Sequence, residues 1–309
     1  MALYGLWTMD YGLRSTHAVL LAMPQFQRVT IVGLGLIGGS LGMAIRRRRL
    51  ARTVVGYSRR PSTLRRAQQA RAIDVGTTNL RVAVQGADLI VLATPVDAIG
   101  SFATQAARYC RADAILTDVG STKGRIVRTL ERSLPRRIAF VGGHPIAGSE
   151  QRGLAAADPR LFERTTCILT STARTNPRAI RRITELWRGL GCRVVTMTPA
   201  AHDRLLARTS HLPHVVAYSL AQMIGADDGA GVPRSFLDMT RVATSDADLW
   251  DDIFLSNRRA LLKAMAHFER TWHVARRCVA RADRASLHRW LTRAQRRRDA
   301  LKDTERVRE

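Results

Sequence analysis

Val29-Thr30-Ile31-Val32-Gly33-Leu34-Gly35-Leu36-Ile37-Gly38-Gly39-Ser40 is the stretch that decides the fold of this 309-residue chain. Its first residues are apolar or β-branched and read as a strand. Gly33-x-Gly35-x-x-Gly38 then opens a helical pattern, the context in which such a glycine motif is specific. Gly33 permits the tight turn, Gly35 lets backbone approach a diphosphate, and Gly38 lets the helix lie close against the strand. The first helical amides, those of Leu36 and Ile37 among them, offer unpaired N–H groups at the positive end of the helix dipole. Thr94 and Pro95, which follow the apolar run 88–93, complete the expected cofactor contacts. The expectation is a nucleotide-binding domain built on a dinucleotide fingerprint.

The end of the next strand refines the cofactor. An acidic residue about 20 positions beyond the glycines would accept from the adenine ribose hydroxyls. Gly56-Tyr57-Ser58-Arg59-Arg60 stands there instead. A carboxylate repels a 2′-phosphate, whereas a small hydroxyl and two guanidiniums bind one. Ser58, Arg59 and Arg60 therefore favour NADP over NAD.

Outward from the glycine turn, short apolar runs alternate with helical stretches, at 29–32, 53–57, 88–93, 114–117, 138–141, 167–170 and 193–197. This reads as repeated βαβ units. Between the last two runs Asn176 suits a helix cap, Pro177 its first turn, and Gly189 and Gly191 its end. Thr198-Pro199 is a second cap-plus-proline start, after which strand-like runs cease. Helical patterns cover 200–224 and 247–277, and Leu287, Trp290, Leu291 and Ala294 recur at helical spacing with arginines opposite, a packed apolar stripe. The fold class is α/β: a leader at 1–27 (disordered or atypical), a Rossmann-like domain at 28–198, and an all-helical domain at 199–309.

Composition narrows the setting. Apolar content of 46% and charged content of 24% are ordinary for a globular chain. No apolar run nears the roughly 18 to 20 residues that span a bilayer, and residues 1–22 lack the layout of a secretory signal. Four cysteines fit no zinc or disulfide framework, which suits a reducing cytoplasm. The formal net charge of +25 is anomalous, yet only three of the fifty basic residues are lysine (Lys123, Lys263 and Lys302) and the arginines are spread throughout. A uniform arginine excess without aromatic-interleaved basic stripes argues for solvated surface rather than a nucleic-acid footprint.

Two further segments sit where ligands gather in such sheets, beyond strand carboxyl ends. One is Asp118-Val119-Gly120-Ser121-Thr122-Lys123-Gly124, and the other is Gly142-Gly143-His144-Pro145-Ile146-Ala147-Gly148-Ser149-Glu150. His144, read as a loop residue, has the near-neutral pKa to take a proton from an alcohol while hydride leaves carbon. A lysine kept at 123 in so arginine-rich a chain suggests that a compact ammonium is wanted there.

These segments occur in order with Ser210-His211-Leu212-Pro213-His214, Asp238-Met239-Thr240-Arg241-Val242-Ala243, and Trp250-Asp251-Asp252-Ile253-Phe254 followed by Asn257. Together they resemble the prephenate/arogenate (cyclohexadienyl) dehydrogenase family of tyrosine biosynthesis, over about residues 28 to 275. The resemblance implies an NAD(P)-dependent oxidative decarboxylation, without a metal, in which hydride leaves the ring carbon bearing the 4-hydroxyl and the ring carboxylate departs as carbon dioxide. It implies that His144 deprotonates that hydroxyl with Ser121 as its neighbour, and that Arg241 binds a substrate carboxylate. His211, His214 and Trp250 would line the substrate site, and Glu150 and Asp238 would gate or support it; the rarity of lysine, independently of the resemblance, adds Lys123 as a substrate contact. The helical domain would form a homodimer.

An imidazole at His214 favours the keto acid prephenate over the ammonium of arogenate, while the Gly-x-Ser-Arg wording at 56–59 resembles NADP-using arogenate enzymes. Prephenate is the expected substrate, with arogenate or dual use kept open. A β-hydroxyacid dehydrogenase leaves Arg241 and the His211/His214 pair without shared purpose. A non-enzymatic nucleotide- or nucleic-acid-binding regulator would be indifferent to His144.

Overall fold

The computed structural model describes residues 24–148, 151–225, 228 and 231–306. The expected leader lies mostly outside them, but β1 spans Phe26–Val32 and so begins two residues inside that segment. The glycine turn leads from β1 into α1 (Leu36–Arg47), and β2 (Ala51–Tyr57), α2 (Pro61–Gln69), β3 (Val75–Thr77), α3 (Leu80–Val84) and β4 (Leu89–Leu92) follow. Next come α4 (Val96–Ala106), β5 (Ile115–Asp118), α5 (Gly124–Ser133), β6 (Ala139–Ile146), β7 (Thr166–Thr170), α6 (Pro177–Gly189) and β8 (Arg193–Met197). The strands form one sheet in the order β3-β2-β1-β4-β5-β6-β7-β8. The chain thus winds outward both ways from the β1/β4 boundary, where such sheets leave a crevice beyond their carboxyl ends.

Alternation along the strands builds two cores. Leu89 and Val91 of β4 face one side, with Ile31, Leu41, Ile45, Phe162 and Trp187, where α1 and α6 pack. Ile90 and Leu92 face the other, with Val32, Ile99, Leu116, Ile126 and Leu130, where α4 and α5 pack. Helices on both faces explain why the strands read as continuous apolar runs rather than alternating ones.

The sheet departs from uniform βαβ repetition at one pair. β6 and β7 run antiparallel, from Gly142 opposite Thr170 to Ile146 opposite Thr166. Among its described residues the link between them holds a 3-10 turn at Leu154–Ala156 and no crossover helix to return the chain in parallel. β6 also runs on to Ile146, beyond the expected end of its apolar run, so His144 is a strand residue and not a loop residue. Its two preceding glycines are there for contact: a β-carbon at Gly142 would meet Thr170 Oγ1 at 2.5 Å, and one at Gly143 would meet the Asp118 carbonyl at 2.8 Å. The short β3 has no apolar run of its own and escaped the sequence pattern.

Thr198 and Asn176 cap their helices through side-chain oxygens, onto the amide of Ala201 and onto those of Arg178 and Ala179. Helices then follow as α7 (Pro199–Leu206), α8 (Leu212–Ala221), α9 (Arg234–Thr240), α10 (Ala247–Ser256), α11 (Arg258–Ala280) and α12 (Arg284–Arg306). A π-helical turn, Ala207–His211, joins α7 to α8. Pro213 in the next turn lacks an N–H and crowds the preceding carbonyls, and the wider turn absorbs that misfit. The single helix expected across 247–277 breaks at Asn257 into α10 and α11. The stripe expected to be packed on α12 is not buried: Leu291 is 52% exposed, Ala294 is exposed, and Leu287 and Trp290 are only half-buried; Trp272 and Val279 of α11 are exposed as well. Among the described residues no helix is long and apolar enough to cross a membrane.

Candidate active site

The glycine turn stands at the crevice between β1 and β4. Gly33 has φ +100° and a β-carbon there would lie 2.4 Å from the Ala93 carbonyl, so no side chain fits on this backbone. A β-carbon at Gly38 would lie 2.0 Å from the Gly33 carbonyl, whereas at Gly35 it would meet nothing within 4 Å. That open space is where a diphosphate would sit. Gly35 caps α1 with no side-chain hydrogen bond and no acid stands in the first turn, leaving the amides of Leu36, Ile37 and Gly38 for an anion. Thr94 completes the cradle: its Oγ1 is buried yet has no hydrogen-bond partner among the described residues. A buried hydroxyl without a partner costs stability unless a ligand answers it. Pro95 follows as the cap of α4. These features fit a bound dinucleotide.

At the end of β2, Ser58 is half-buried and accepts from the Arg60 amide through Oγ. Arg59 and Arg60 are exposed at the start of α2, with no acid nearby in sequence.

A chain of polar side chains begins at His144, half-buried near the carboxyl end of β6. Its Nδ1 lies 2.8 Å from Nε2 of His202, and Nδ1 of His202 lies 2.9 Å from Oδ1 of Asp203. Asp203 also accepts the amide of Lys123 through Oδ1 and that of Gly124 through Oδ2, each at 2.8 Å, which caps α5 from another element. Asn257, in the break between α10 and α11, donates to the Asp203 carbonyl at 2.8 Å and faces His211 Nδ1 at 3.1 Å. Burial, then the neighbouring His202, Lys123 and His211, pull the His144 pKa well below the ordinary imidazole value. Burial also lowers His202, against the opposing pull of Asp203. The His144 ring is therefore neutral at pH 7.

Lys123 does not line the site as a substrate contact would. It is wholly buried and its ammonium pairs with the equally buried Asp118, whose other oxygen takes the Gly143 amide at 3.3 Å. Burial lowers its pKa, against the opposing effect of Asp118. The compact ammonium expected here has a physical reason, but the reason is structural support beneath β5 and β6.

The two other histidines gather around Trp250. His214 stacks on its ring at 3.4 Å between centroids, and His211 meets it edge-on at 6.1 Å. Trp250 is thus the wall that orients both imidazoles. His214 Nδ1 donates to the Ser210 carbonyl at 2.8 Å. Its pKa is lowered by burial first, with Ser210 opposing and Arg241 adding to the fall. The ring is then neutral and its Nε2 is an acceptor. Burial lowers His211 further, to about 4.

Arg241 is exposed at the start of the 3-10 turn Arg241–Thr244, close enough for its charge to act on His214. Ser121 is half-buried in the loop after β5 and makes no hydrogen bond to His144, whose Nδ1 partner is His202. Asp238 is exposed on α9 and joins none of these contacts. Glu150 lies outside the described residues. His202 and Asp203 were missed by sequence reading, because two polar residues in the first turns of a helix read as solvated surface. A roomy cleft of about 1100 Å³, lined by Asp113, Glu131, Arg136, Arg174 and Arg178, opens at the opposite end of the sheet, away from all these groups.

Comparison with known proteins gives two family matches. Residues 41–196 match the prephenate dehydrogenase nucleotide-binding domain, and residues 198–293 match the prephenate dehydrogenase dimerization domain. A cyclohexadienyl dehydrogenase from Zymomonas mobilis is 38% identical, over 91% of this chain and 98% of its own length. A crystal structure of prephenate dehydrogenase from Aquifex aeolicus, in complex with hydroxyphenyl propionate and NAD+, superposes with a TM-score of 0.83 at 33% identity, covering 89% of this chain and 98% of that one. Synechocystis arogenate dehydrogenase superposes with a TM-score of 0.78 at 30% identity, covering 89% and 100%.

Proposed function

The chain belongs to the prephenate dehydrogenase family, and from that premise we propose that it converts prephenate to 4-hydroxyphenylpyruvate with NADP as the preferred cofactor. The observation that carries this reading is the state of His144: unprotonated, held through Nδ1, and with Nε2 free of partners among the described residues. Bound nicotinamide supplies the acceptor for the hydride. His144 Nε2 takes the proton of the ring 4-hydroxyl as the carbon–hydrogen bond breaks, and Ser121 serves as a second polar group at that oxygen. Arg241 clamps a substrate carboxylate, and His211, His214 and Trp250 shape the pocket beside it. Loss of the ring carboxylate yields an aromatic product, so the protein's work is orientation, a base and anion clamps.

Ser58, Arg59 and Arg60 support the NADP preference, since no carboxylate stands there to repel a 2′-phosphate. The helical half associates as a homodimer, which the exposed Trp272, Val279 and Leu291 support. A second reading, acceptance of arogenate, is favoured by His214, which reverses the expectation from sequence: a neutral ring held through Nδ1 offers Nε2 as an acceptor, which suits an ammonium better than a keto oxygen.

The test is spectrophotometric, crossing prephenate and arogenate with NAD and NADP. Nicotinamide reduction is expected with prephenate and NADP, and no reduction in any combination would overturn the reading. Near-normal turnover by His144→Asn would remove the base.

A further inference from the structure

We propose that His202 and Asp203 are positioning residues that fix the tautomer of His144, and so decide which of its nitrogens is the base. The inference rests on the reading of His144 as that base. It follows from the order of donors and acceptors. Asp203 accepts the amides of Lys123 and Gly124, one on each of its oxygens, as an ionised carboxylate does. A carboxylate so held has no proton to give, so His202 Nδ1 must be the donor across their 2.9 Å contact. A neutral His202 with its proton on Nδ1 carries a lone pair on Nε2. Across the 2.8 Å contact with His144 the proton is then on His144 Nδ1. His144 Nε2 is left with the lone pair.

An isolated imidazole has no such constraint, and the wrong tautomer would present an N–H to the substrate hydroxyl instead of a base. The same line serves the protonated state. When Nε2 gains the substrate proton, the new cation faces His202 Nε2 through Nδ1–H, with the ionised Asp203 one imidazole further on. Asp203 stays ionised throughout, and no proton need leave the line.

The anchoring is stronger than a surface contact would give. His202 is fully buried and Asp203 nearly so. Asn257 fixes the Asp203 backbone from the opposite side. The base sits on β6 and its orienting pair on α7, so the line also couples the nucleotide-binding and helical halves at the point of reaction.

Three variants and two readouts test this. In His202→Leu the acceptor is lost while the volume is roughly kept; in His202→Gln a side-chain carbonyl can still accept from His144 Nδ1; in His144→Gln the base itself is removed. Imidazole nitrogen NMR of the substrate-free protein is expected to find His144 with its proton on Nδ1 in the wild type and in His202→Gln. In His202→Leu it should pass largely to the Nε2–H form. Turnover of His202→Leu should fall about 100-fold with KM changed less than about threefold, and His202→Gln should recover about tenfold of that loss. A wild-type tautomer and turnover in His202→Leu, with His144→Gln inactive, would overturn the positioning role alone. Full turnover in His144→Gln would overturn the base. If His202→Leu fails to fold, the wild-type spectrum and His202→Gln still decide: a wild-type His144 protonated on Nε2 is incompatible with the proposal.

Discussion

A β-carbon at Gly124 would stand 2.5 Å from Oδ2 of Asp203. The absence of a side chain at the first residue of α5 is therefore what lets a carboxylate from α7 cap that helix and orient His202. Gly124→Ala should push Asp203 off the amides of Lys123 and Gly124, losing about 1–2 kcal/mol of stability and about tenfold or more in turnover. Gly100 is the control. It lies within α4, where a β-carbon would make only an ordinary 3.7 Å contact with Thr129. Gly100→Ala should be neutral or stabilising by up to about 1 kcal/mol. Urea unfolding and steady-state kinetics on both variants check the contrast, and equal effects at the two glycines would refute it.

Lys123 and Asp118 are buried together, so removing one leaves the other charged and alone. Lys123→Met should cost about 3–5 kcal/mol. Adding Asp118→Asn should return a substantial part of that, a coupling that a double-mutant cycle reads directly. Lys123→Arg should also be poorly tolerated, because the wholly buried site beside Asp118 holds a compact ammonium and not a larger planar guanidinium. Denaturant midpoints for the wild type, Lys123→Met, Asp118→Asn, their double variant and Lys123→Arg test this. Independent, additive losses would show that the pair is not coupled.

How far a residue's role depends on distant parts of the chain decides how much of it the sequence reveals. The glycine turn was legible because its three constraints are local: one turn, one open approach and one close packing. Asn176 and Thr198 were legible as caps for the same reason. His144 was found by its neighbours in sequence but misplaced onto a loop, since a strand that tolerates two glycines is recognised only by what presses against them. His202 and Asp203 were invisible because their meaning comes from β6 and α5, far away in the chain. Lys123 stands out in sequence by its rarity, but the expected substrate contact does not allow for its burial, which depends on β5 and β6 lying side by side.

Acid should weaken the fold through the histidines. Burial holds His211 at about 4 and also lowers His144, His202 and His214. In the unfolded chain these rings take up protons near pH 6.5. Between about pH 6.5 and 4 the unfolded state binds more protons, so stability falls as the pH falls through that window. His211 alone accounts for roughly 3 kcal/mol of this. Urea midpoints should therefore drop between about pH 7 and 4.5, less steeply in His211→Gln, in which the amide can still accept from Asn257. An unchanged slope in that variant would show that His211 is not buried in the neutral form.

Trp272 and Val279 lie seven residues apart on α11, on one face of the helix, and are 60% and 66% exposed in the single chain. Large apolar side chains left open on adjoining helices are what a dimer would cover. Trp272→Glu with Val279→Glu should shift the protein from dimer to monomer in multi-angle light scattering, leaving the circular dichroism spectrum unchanged. A wild-type chain that runs as a monomer would remove the homodimer.

The proposed preference for NADP turns on charge at the end of β2. Ser58 is half-buried while Arg59 and Arg60 stand exposed at the start of α2. A 2′-phosphate bound there would gain charge-assisted hydrogen bonds worth about 1.5–3 kcal/mol in all. Removing both guanidiniums should thus lower kcat/KM for NADP by about 10- to 100-fold. NAD carries no phosphate at that position, so its kcat/KM should stay within about twofold. Ser58→Asp should go further and reverse the preference, because the new carboxylate would accept from ribose hydroxyls and repel the phosphate. Equal losses for the two cofactors in Arg59→Ala/Arg60→Ala would mean that the arginines act on the diphosphate or on the fold, and the NADP preference would have to be abandoned.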